Sequence, residues 1–263
     1  MDFKNIKFQV DEGVATITLD RPEFYNAINV PMAEELSRAL ELCNDSQIRA
    51  VIITGSGKAF CSGGDLKVMQ EGVKTKQLDK VIGDITKVLH RAITDLRILP
   101  RPVIAAINGP AAGAGMSLAL ACDLRIASDT AKFRQAYTAN GLVPDGGWTV
   151  FVPLLVGLGK ASELVFTDPV IDAQEALQMG LVSKVVPPEE LLVVAQEWGQ
   201  KLAAGATFAF AQAKMLLNSF LLPTLETQLE KERQAMIAAG KSEDSREGIL
   251  AFLEKRTPQF KGR

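Results

Sequence analysis

Two uninterrupted apolar runs, RAVIITG at 49–55 and PVIAAIN at 102–108, most constrain what this chain can become. Runs without polar alternation suit strands covered on both faces, as in a parallel sheet flanked by helices. The stretch between them carries a long helical stripe: Leu78, Val81, Ile82, Ile85, Leu89, Ile93 and Leu96. That pattern stops before Pro100 and Pro102, because a proline disfavours helical backbone in the residue before it. A strand, helix, strand order predicts right-handed crossovers and a largely parallel α/β sheet.

The flanking segments extend this plan. IKFQV and VATITL surround Asp11-Glu12-Gly13 and read as a hairpin. Met32, Leu36, Ala39, Leu40 and Cys43 recur at helical spacing from Pro31 to Cys43. GPAAGAG leads from the second apolar run into the helix MSLALAC, after which DLRIAS returns as a strand. From about Pro187 onward only helical patterns remain: ELLVVAQEWGQKLAA, TFAFAQAKMLLNSF, LETQLEKERQAMIAAG and SEDSREGILAFLEKR. Ser242, followed by Ser245 and Arg246 ahead of Ile249, Leu250 and Phe252, marks the start of the last helix.

Composition narrows the function classes. With 263 residues, 47% of them hydrophobic, the chain can bury a large core as one domain or one domain plus an appendage. A balance of 29 basic against 31 acidic residues provides no broad footprint for nucleic acid or an anionic membrane, so neither partner is expected. No apolar run approaches the roughly 20 residues of a membrane span, and MDFKNIKFQV lacks the features of a secretory signal. Cys43, Cys61 and Cys122 fall in no disulfide or zinc pattern. A cytoplasmic location without a bound metal is the expectation. His90 is the sole imidazole, so any imidazole chemistry depends on it.

Three stretches offer chemistry. KAFCSGGDLKVM at 58–69 and INGPAAGAGMSLALACD at 107–123 place glycines where strands give way to helices. Such glycines either let a helix pack closely on the sheet or expose N–H groups to a ligand, as in an oxyanion hole. Neither contains the spacing of a dinucleotide fingerprint. The third stretch, AYTANGLVPDGGWT at 136–149, sets Asp145 before two glycines. Taken alone, Pro-Asp-Gly reads as a surface turn.

Several motifs together resemble the crotonase, or enoyl-CoA hydratase/isomerase, superfamily over nearly the whole chain. They are RPEFYNAIN (21–29), GKAFCSGGDL (57–66), RPVIAAINGPAAGAG (101–115), ACDLRIAS (121–128), AKF (131–133), EALQMGLVSKVV (175–186) and the terminal FLEKRTPQFKGR. The resemblance implies an α/β crotonase (ClpP-like) ββα spiral core over 1–200 and a helical C-terminal trimerisation region over 201–263. It further implies a homotrimer or homohexamer acting on an acyl-CoA thioester, with no cofactor beyond the coenzyme A of the substrate. By the same resemblance, Gly64 and Ala114 each donate a backbone N–H to the thioester oxygen. The CoA moiety would lie along Asn26, Ala27, Ser62, Gly63, Asp65 and Leu66, with Phe260 and Lys261 reaching it from the tail. Asp65 and Asp123 also suit bonding to loop N–H groups, and Trp148 would begin a helix near the acyl pocket.

Subclass rests on the acid/base positions. The two glutamates of crotonase-like hydratases match Ser117 and Tyr137 here, so ordinary hydration is not expected. Asp145 matches the aspartate of several isomerases, and GLVPDGG with the terminal motif is most similar to the phenylacetate-pathway ring-1,2-epoxyacetyl-CoA isomerases. This implies proton transfer through Asp145, moving a double bond or opening a ring epoxide, with Tyr137 able to bond Asp145. His90 matches the base of the 4-chlorobenzoyl-CoA dehalogenase branch, so attack on an aryl- or cyclic acyl-CoA by Asp145 and His90 is an alternative. A weakly active hydratase-like protein, or a non-catalytic acyl-CoA binder, is the third.

Overall fold

The computed structural model describes residues 3–263. Strands β1 (Ile6–Asp11) and β2 (Val14–Leu19) pair antiparallel around Glu12 and Gly13, which sit at φ 46° and 79°. A two-residue turn with both residues left-handed matches the twist of the strands it joins. Helix α1 (Val30–Leu42) follows, capped by the Asn29 side chain, and leads to β3 (Ala50–Gly55). Two helices, α2 (Leu66–Lys74) and α3 (Leu78–Ile98), cross over to β4 (Val103–Ile107). Next come β5 (Ala111–Ala112), α4 (Ala114–Ala121), β6 (Leu124–Ser128) and β7 (Lys132–Arg134). Then α5 (Trp148–Val156), α6 (Leu158–Thr167), β8 (Ile171–Asp172), α7 (Ala173–Gln178) and β9 (Lys184–Val186) precede the C-terminal helices. These are α8 (Leu191–Ala203), α9 (Thr207–Gly240) and α10 (Glu243–Leu253).

The main sheet has the order β1-β2-β3-β4-β6-β9, parallel from β2 onward, and a second sheet pairs β5, β7 and β8. Side chains alternate between two cores. Val14, Ala50, Ile52, Ile104 and Ala106 pack under Leu191, Val194 and Ala195 of α8. Ala15, Ile17, Val51, Ile53, Val103 and Ala105 enter the larger cluster with α1 and α3. Both faces are therefore covered, which is why the strands read as continuous apolar runs. Burial also pushes the thiols of Cys43, Cys61 and Cys122 up to about 12, leaving them inert packing residues.

Two of the separate helical patterns in the tail prove to be one helix. TFAFAQAKMLLNSF and LETQLEKERQAMIAAG form α9, which runs 34 residues straight through Pro223. Proline removes one helical hydrogen bond. Pro223 and Ser219, one turn back, are both exposed, and buried residues such as Asn218 and Leu225 flank the proline on either side. The expected division at 200/201 falls inside α8.

The loop joining β2 to α1 works as a brace. Asn26 is fully buried at φ 56°; its carbonyl accepts the Arg21 N–H at 2.9 Å, and its amide reaches Ser56 O, Ala59 O and Phe60 O at 2.9, 2.8 and 3.2 Å. Ile28 N–H donates to Gly63 O at 2.7 Å, and Asp65 N–H returns to Ile28 O at 2.9 Å. Asp65 ion-pairs with Arg21 at 2.9 Å and caps α2. Asn26 and Asp65 thus build the first glycine-rich segment. Removing a buried, multiply bonded polar side chain strands its partners at about 1–3 kcal/mol each. Asn26→Ala is expected to lower the urea-unfolding free energy by roughly 3 kcal/mol; a loss under about 1 kcal/mol would show that the brace is dispensable.

Candidate active site

A cavity of about 200 Å³ lies between the two glycine-rich segments, α3, the Asp145 loop and the C-terminal helices. Parallel strands β3 and β4 deliver both segments to the same sheet edge. Gly63 sits at φ 102°, and a Cβ there would stand 2.9 Å from Ala112 O and 3.4 Å from Ala114 N. The close approach therefore needs glycine. Gly64 and Ala114 both line the cavity, and neither of their N–H groups donates to an acceptor among the described residues. Ala114 opens α4, where first-turn N–H groups have no intrahelical partner and carry partial positive charge. Two unspent amides on one wall are what a developing oxyanion requires.

Asp145 is the carboxylate on the cavity wall, 1% exposed. It is no surface turn: Gly146 and Gly147, at φ 66° and 80°, turn the chain inside the protein. Tyr137 donates its phenol to Asp145 Oδ1 at 2.7 Å, and Ser117 donates its hydroxyl to the Asp145 carbonyl at 2.7 Å. Burial, and next the Asp145 charge, push the Tyr137 phenol well above its ordinary value. It therefore stays protonated and acts as a donor. Asp145 Oδ2 is buried without a hydrogen-bond partner among the described residues. An unpartnered buried carboxylate oxygen is costly, and such costs are carried where chemistry needs a free lone pair.

His90 stands behind this oxygen, with Nε2 3.6 Å from Oδ2. The same Nε2 accepts the Gly146 N–H at 3.2 Å, which places the imidazole proton on Nδ1. Glu232 reaches the loop from α9: Oε2 accepts Gly147 N–H at 2.8 Å, and Oε1 accepts Thr149 N–H at 3.1 Å together with the Thr149 hydroxyl. Burial raises the proton affinity of Glu232 even though these donors oppose it.

Of the residues singled out in the sequence, Ser62, Gly63, Gly64, Leu66, Ala114, Tyr137 and Asp145 come together around the cavity. Asn26, Ala27 and Asp65 lie behind it in the brace, with Ala27 O accepting the Arg21 guanidinium. Trp148 begins α5 as expected but is buried in the core, off the cavity wall. The tail carrying Phe260 and Lys261 folds back on α10, where Lys261 and Gly262 N–H groups bond Asp244 at 2.6 and 2.7 Å. Sequence reading missed Glu232, Met236 and Phe252. For Glu232 a signal exists: it is the lone charge on the buried stripe Leu225, Leu229, Glu232, Met236 of α9.

The chain resembles known proteins along its whole length. A family model described as enoyl-CoA hydratase/isomerase matches residues 9–263. A probable enoyl-CoA hydratase of Rhodobacter capsulatus is 42% identical, with 100% of both chains covered. A 1,2-epoxyphenylacetyl-CoA isomerase of Escherichia coli is 39% identical over 97% of each. The crystal structure of an enoyl-CoA hydratase from Mycobacterium avium subsp. paratuberculosis superposes with a TM-score of 0.89 at 32% identity, covering 99% of this chain and 100% of that one.

The Tyr137 environment can be checked directly. In a Tyr25→Phe background, Tyr137 is the remaining tyrosine, and no tyrosinate absorbance is expected through pH 10, a model phenol's midpoint. Its appearance should coincide with loss of the native circular dichroism. Reversible ionisation below pH 10 in the folded protein would contradict the buried donor.

Proposed function

The chain belongs to the enoyl-CoA hydratase/isomerase family, and on that premise we propose that it is an acyl-CoA isomerase working through one aspartate. Asp145 Oδ2 removes a proton from the carbon chain of an enoyl-CoA. The electron pair moves toward the thioester carbonyl, and the resulting oxyanion rests on the Gly64 and Ala114 N–H groups. Asp145 then returns the proton at the other end of the conjugated system, so the double bond shifts and no atom is gained or lost. One oxyanion donor of this kind is worth about 3 kcal/mol. A ring epoxide opens by the same logic: Asp145 removes the α-proton, the enolate held on the two amides expels the epoxide oxygen from the β-carbon, and that oxygen takes the proton back, so the product is an isomer.

The observation that carries this reading is the asymmetry of Asp145: one oxygen is fixed by Tyr137 and the other is left free. A single carboxylate suffices for a proton shuttle. Hydration needs a base and an acid around a water, yet the Ser117 and Tyr137 protons are both committed to Asp145. The epoxyphenylacetyl-CoA isomerase relative supports the isomerase branch, while the hydratase-named relatives support the shared enolate chemistry. Coenzyme A enters as part of the substrate, and the shuttle calls for no further cofactor. Exposed Phe208, Met215, Leu216, Leu217 and Phe220 on the first half of α9 support assembly of the chain as a homotrimer or homohexamer.

A second reading, hydrolytic attack by Asp145 on an aryl- or cyclic acyl-CoA with His90 activating water, is favoured by the 3.6 Å approach of His90 to Asp145. Its weakness is that the Nε2 lone pair is occupied by Gly146.

Incubation with a 3-enoyl-CoA in deuterated water, followed by NMR, separates the two. Double-bond migration is expected in the wild type and should fall by at least about a thousandfold in Asp145→Asn, the scale set by losing a general base and its enolate step. His90→Gln keeps an acceptor for the Gly146 N–H and is expected to lower kcat by less than about tenfold, the cost of a weakened neutral hydrogen bond. Migration undiminished in Asp145→Asn would overturn the proposal. Turnover of aryl-CoA esters that is lost in both variants would establish the second reading.

A further inference from the structure

The amides that follow Asp145 are each accounted for, and two of them by one side chain from a distant helix. Gly146 N–H goes to His90 on α3, Trp148 N–H to the Asp145 carbonyl, and Gly147 and Thr149 N–H both to Glu232 on α9. Helix α5 starts after Gly147, which has no side chain to cap it. An uncapped first turn leaves its N–H groups without partners. Glu232 supplies the missing cap from 83 to 85 residues further along the chain. Thr149 adds its hydroxyl to Oε1, and Gln228, one turn earlier on α9, donates to that hydroxyl at 2.9 Å.

This clamp acts where the loop is freest. Gly146 and Gly147 both have positive φ, and paired glycines allow the chain more conformations than any other dipeptide. Without an anchor the Asp145 carboxylate would inherit that freedom. A buried carboxylate is expensive to keep, and Leu or Met at position 232 would continue the apolar stripe. The acid earns its place through what it holds.

We propose that Glu232 is a positioning residue: by capping α5 from α9 it fixes the loop that carries Asp145 and so aims the free carboxylate oxygen. The proposal rests on the reading of Asp145 as the proton shuttle. Glu232 touches neither the cavity nor a reacting atom, so its signature is in turnover and not in substrate affinity.

The test compares Glu232→Ala, Glu232→Gln and Thr149→Val in the full-length protein. Steady-state kinetics with a 3-enoyl-CoA, calorimetric binding of the saturated analogue hexanoyl-CoA, and amide exchange of the 145–150 segment are measured for each. Glu232→Ala is expected to lower kcat about thirtyfold or more, with KM and the hexanoyl-CoA Kd within about twofold, on the scale of one to two lost charge-assisted bonds. Exchange at Gly147 and Thr149 should quicken at least about tenfold, the equivalent of one such bond. Glu232→Gln keeps one acceptor and should fall between alanine and wild type. Thr149→Val should show the smallest loss.

A folded Glu232→Ala with unchanged kcat overturns the proposal, as does a parallel loss of kcat and hexanoyl-CoA binding. Should the alanine variant fail to fold, Glu232→Gln decides: full turnover with wild-type exchange overturns the proposal. Wild-type protein inactive on enoyl esters, yet with loop exchange that responds as described, would support the clamp while removing the isomerase reading. Loop exchange indifferent to Glu232 removes the clamp whatever the activity.

Discussion

Contact between two backbones, the segments after β3 and β4, is the constraint on which the rest of this structure depends. A Cβ on Gly109 would lie 2.2 Å from Lys58 O, and one on Gly115 2.1 Å from Cys61 O. At such distances no side chain fits, and the segments bond directly: Ala112 N–H to Cys61 O at 3.0 Å and Cys61 N–H to Pro110 O at 3.2 Å. The consequence is local starvation of acceptors. Once the two segments have paired, the Gly64 and Ala114 amides have no acceptor among the described residues, and both residues line the same cavity. The parallel sheet supplies this arrangement because adjacent parallel strands end at the same edge, where ligands commonly bind in α/β folds.

Opposite those amides the protein does the reverse and crowds polar groups around one acid. Tyr137, Ser117, His90 and Glu232 all bond to Asp145 or to the residues that follow it. Among the described residues Asp145 Oδ1 has its donor in Tyr137, whereas Oδ2 has none. The wall between is apolar, with Ile82, Ile85 and Leu89 from α3 meeting Met236 and Phe252 from the C-terminal helices. In the proposed reaction, the negative charge that forms in such surroundings would rest on the two backbone amides. On that proposal, proton transfer falls to Asp145 and charge stabilisation to the two amides, and all three line one cavity together with this hydrocarbon.

How much of this could be read from residues alone depended on the range of each interaction. The parallel strands, α1 and α3 were legible because periodicity is local and their faces are covered. The glycines at 63, 64, 113 and 115 are legible as a choice between packing and amide exposure; close approach holds at Gly63 and Gly115, and the Gly64 N–H has no acceptor among the described residues. The Asp145 turn was misleading on its own, since Pro-Asp-Gly preferences are the same for an exposed turn and a buried one. The resemblance alone sets it in the site; the structure buries it on the cavity wall. Asn26 was placed against the ligand, but its bonds to Ser56, Ala59 and Phe60 exist only after a strand pairing no local pattern reveals. Glu232 was passed over because a charge on a helix is ordinarily solvated, and its partners lie more than eighty residues upstream.

Why α9 is held by polar anchors at all follows from what it must achieve. Burial of an apolar stripe is non-directional and sets no hydrogen-bond geometry of its own. Hydrogen-bonded charges do set such a geometry. In its first half α9 is fastened by Lys214 to Asp123 at 2.7 Å and by Asn218 to Arg97 at 2.7 Å; in its second half Glu232 grips the Asp145 loop. Pro223 lies between these anchors, so neither half relies on unbroken helical bonding to set the other's register. A rotation of one residue, about 100°, would break all three anchors and would also carry Leu225 and Leu229 off the buried face, bringing Glu226 and Glu230 onto it. The buried charges thus add directional bonds to the packing that holds α9, and the same helix supplies both Met236 to the cavity wall and Glu232 to the loop.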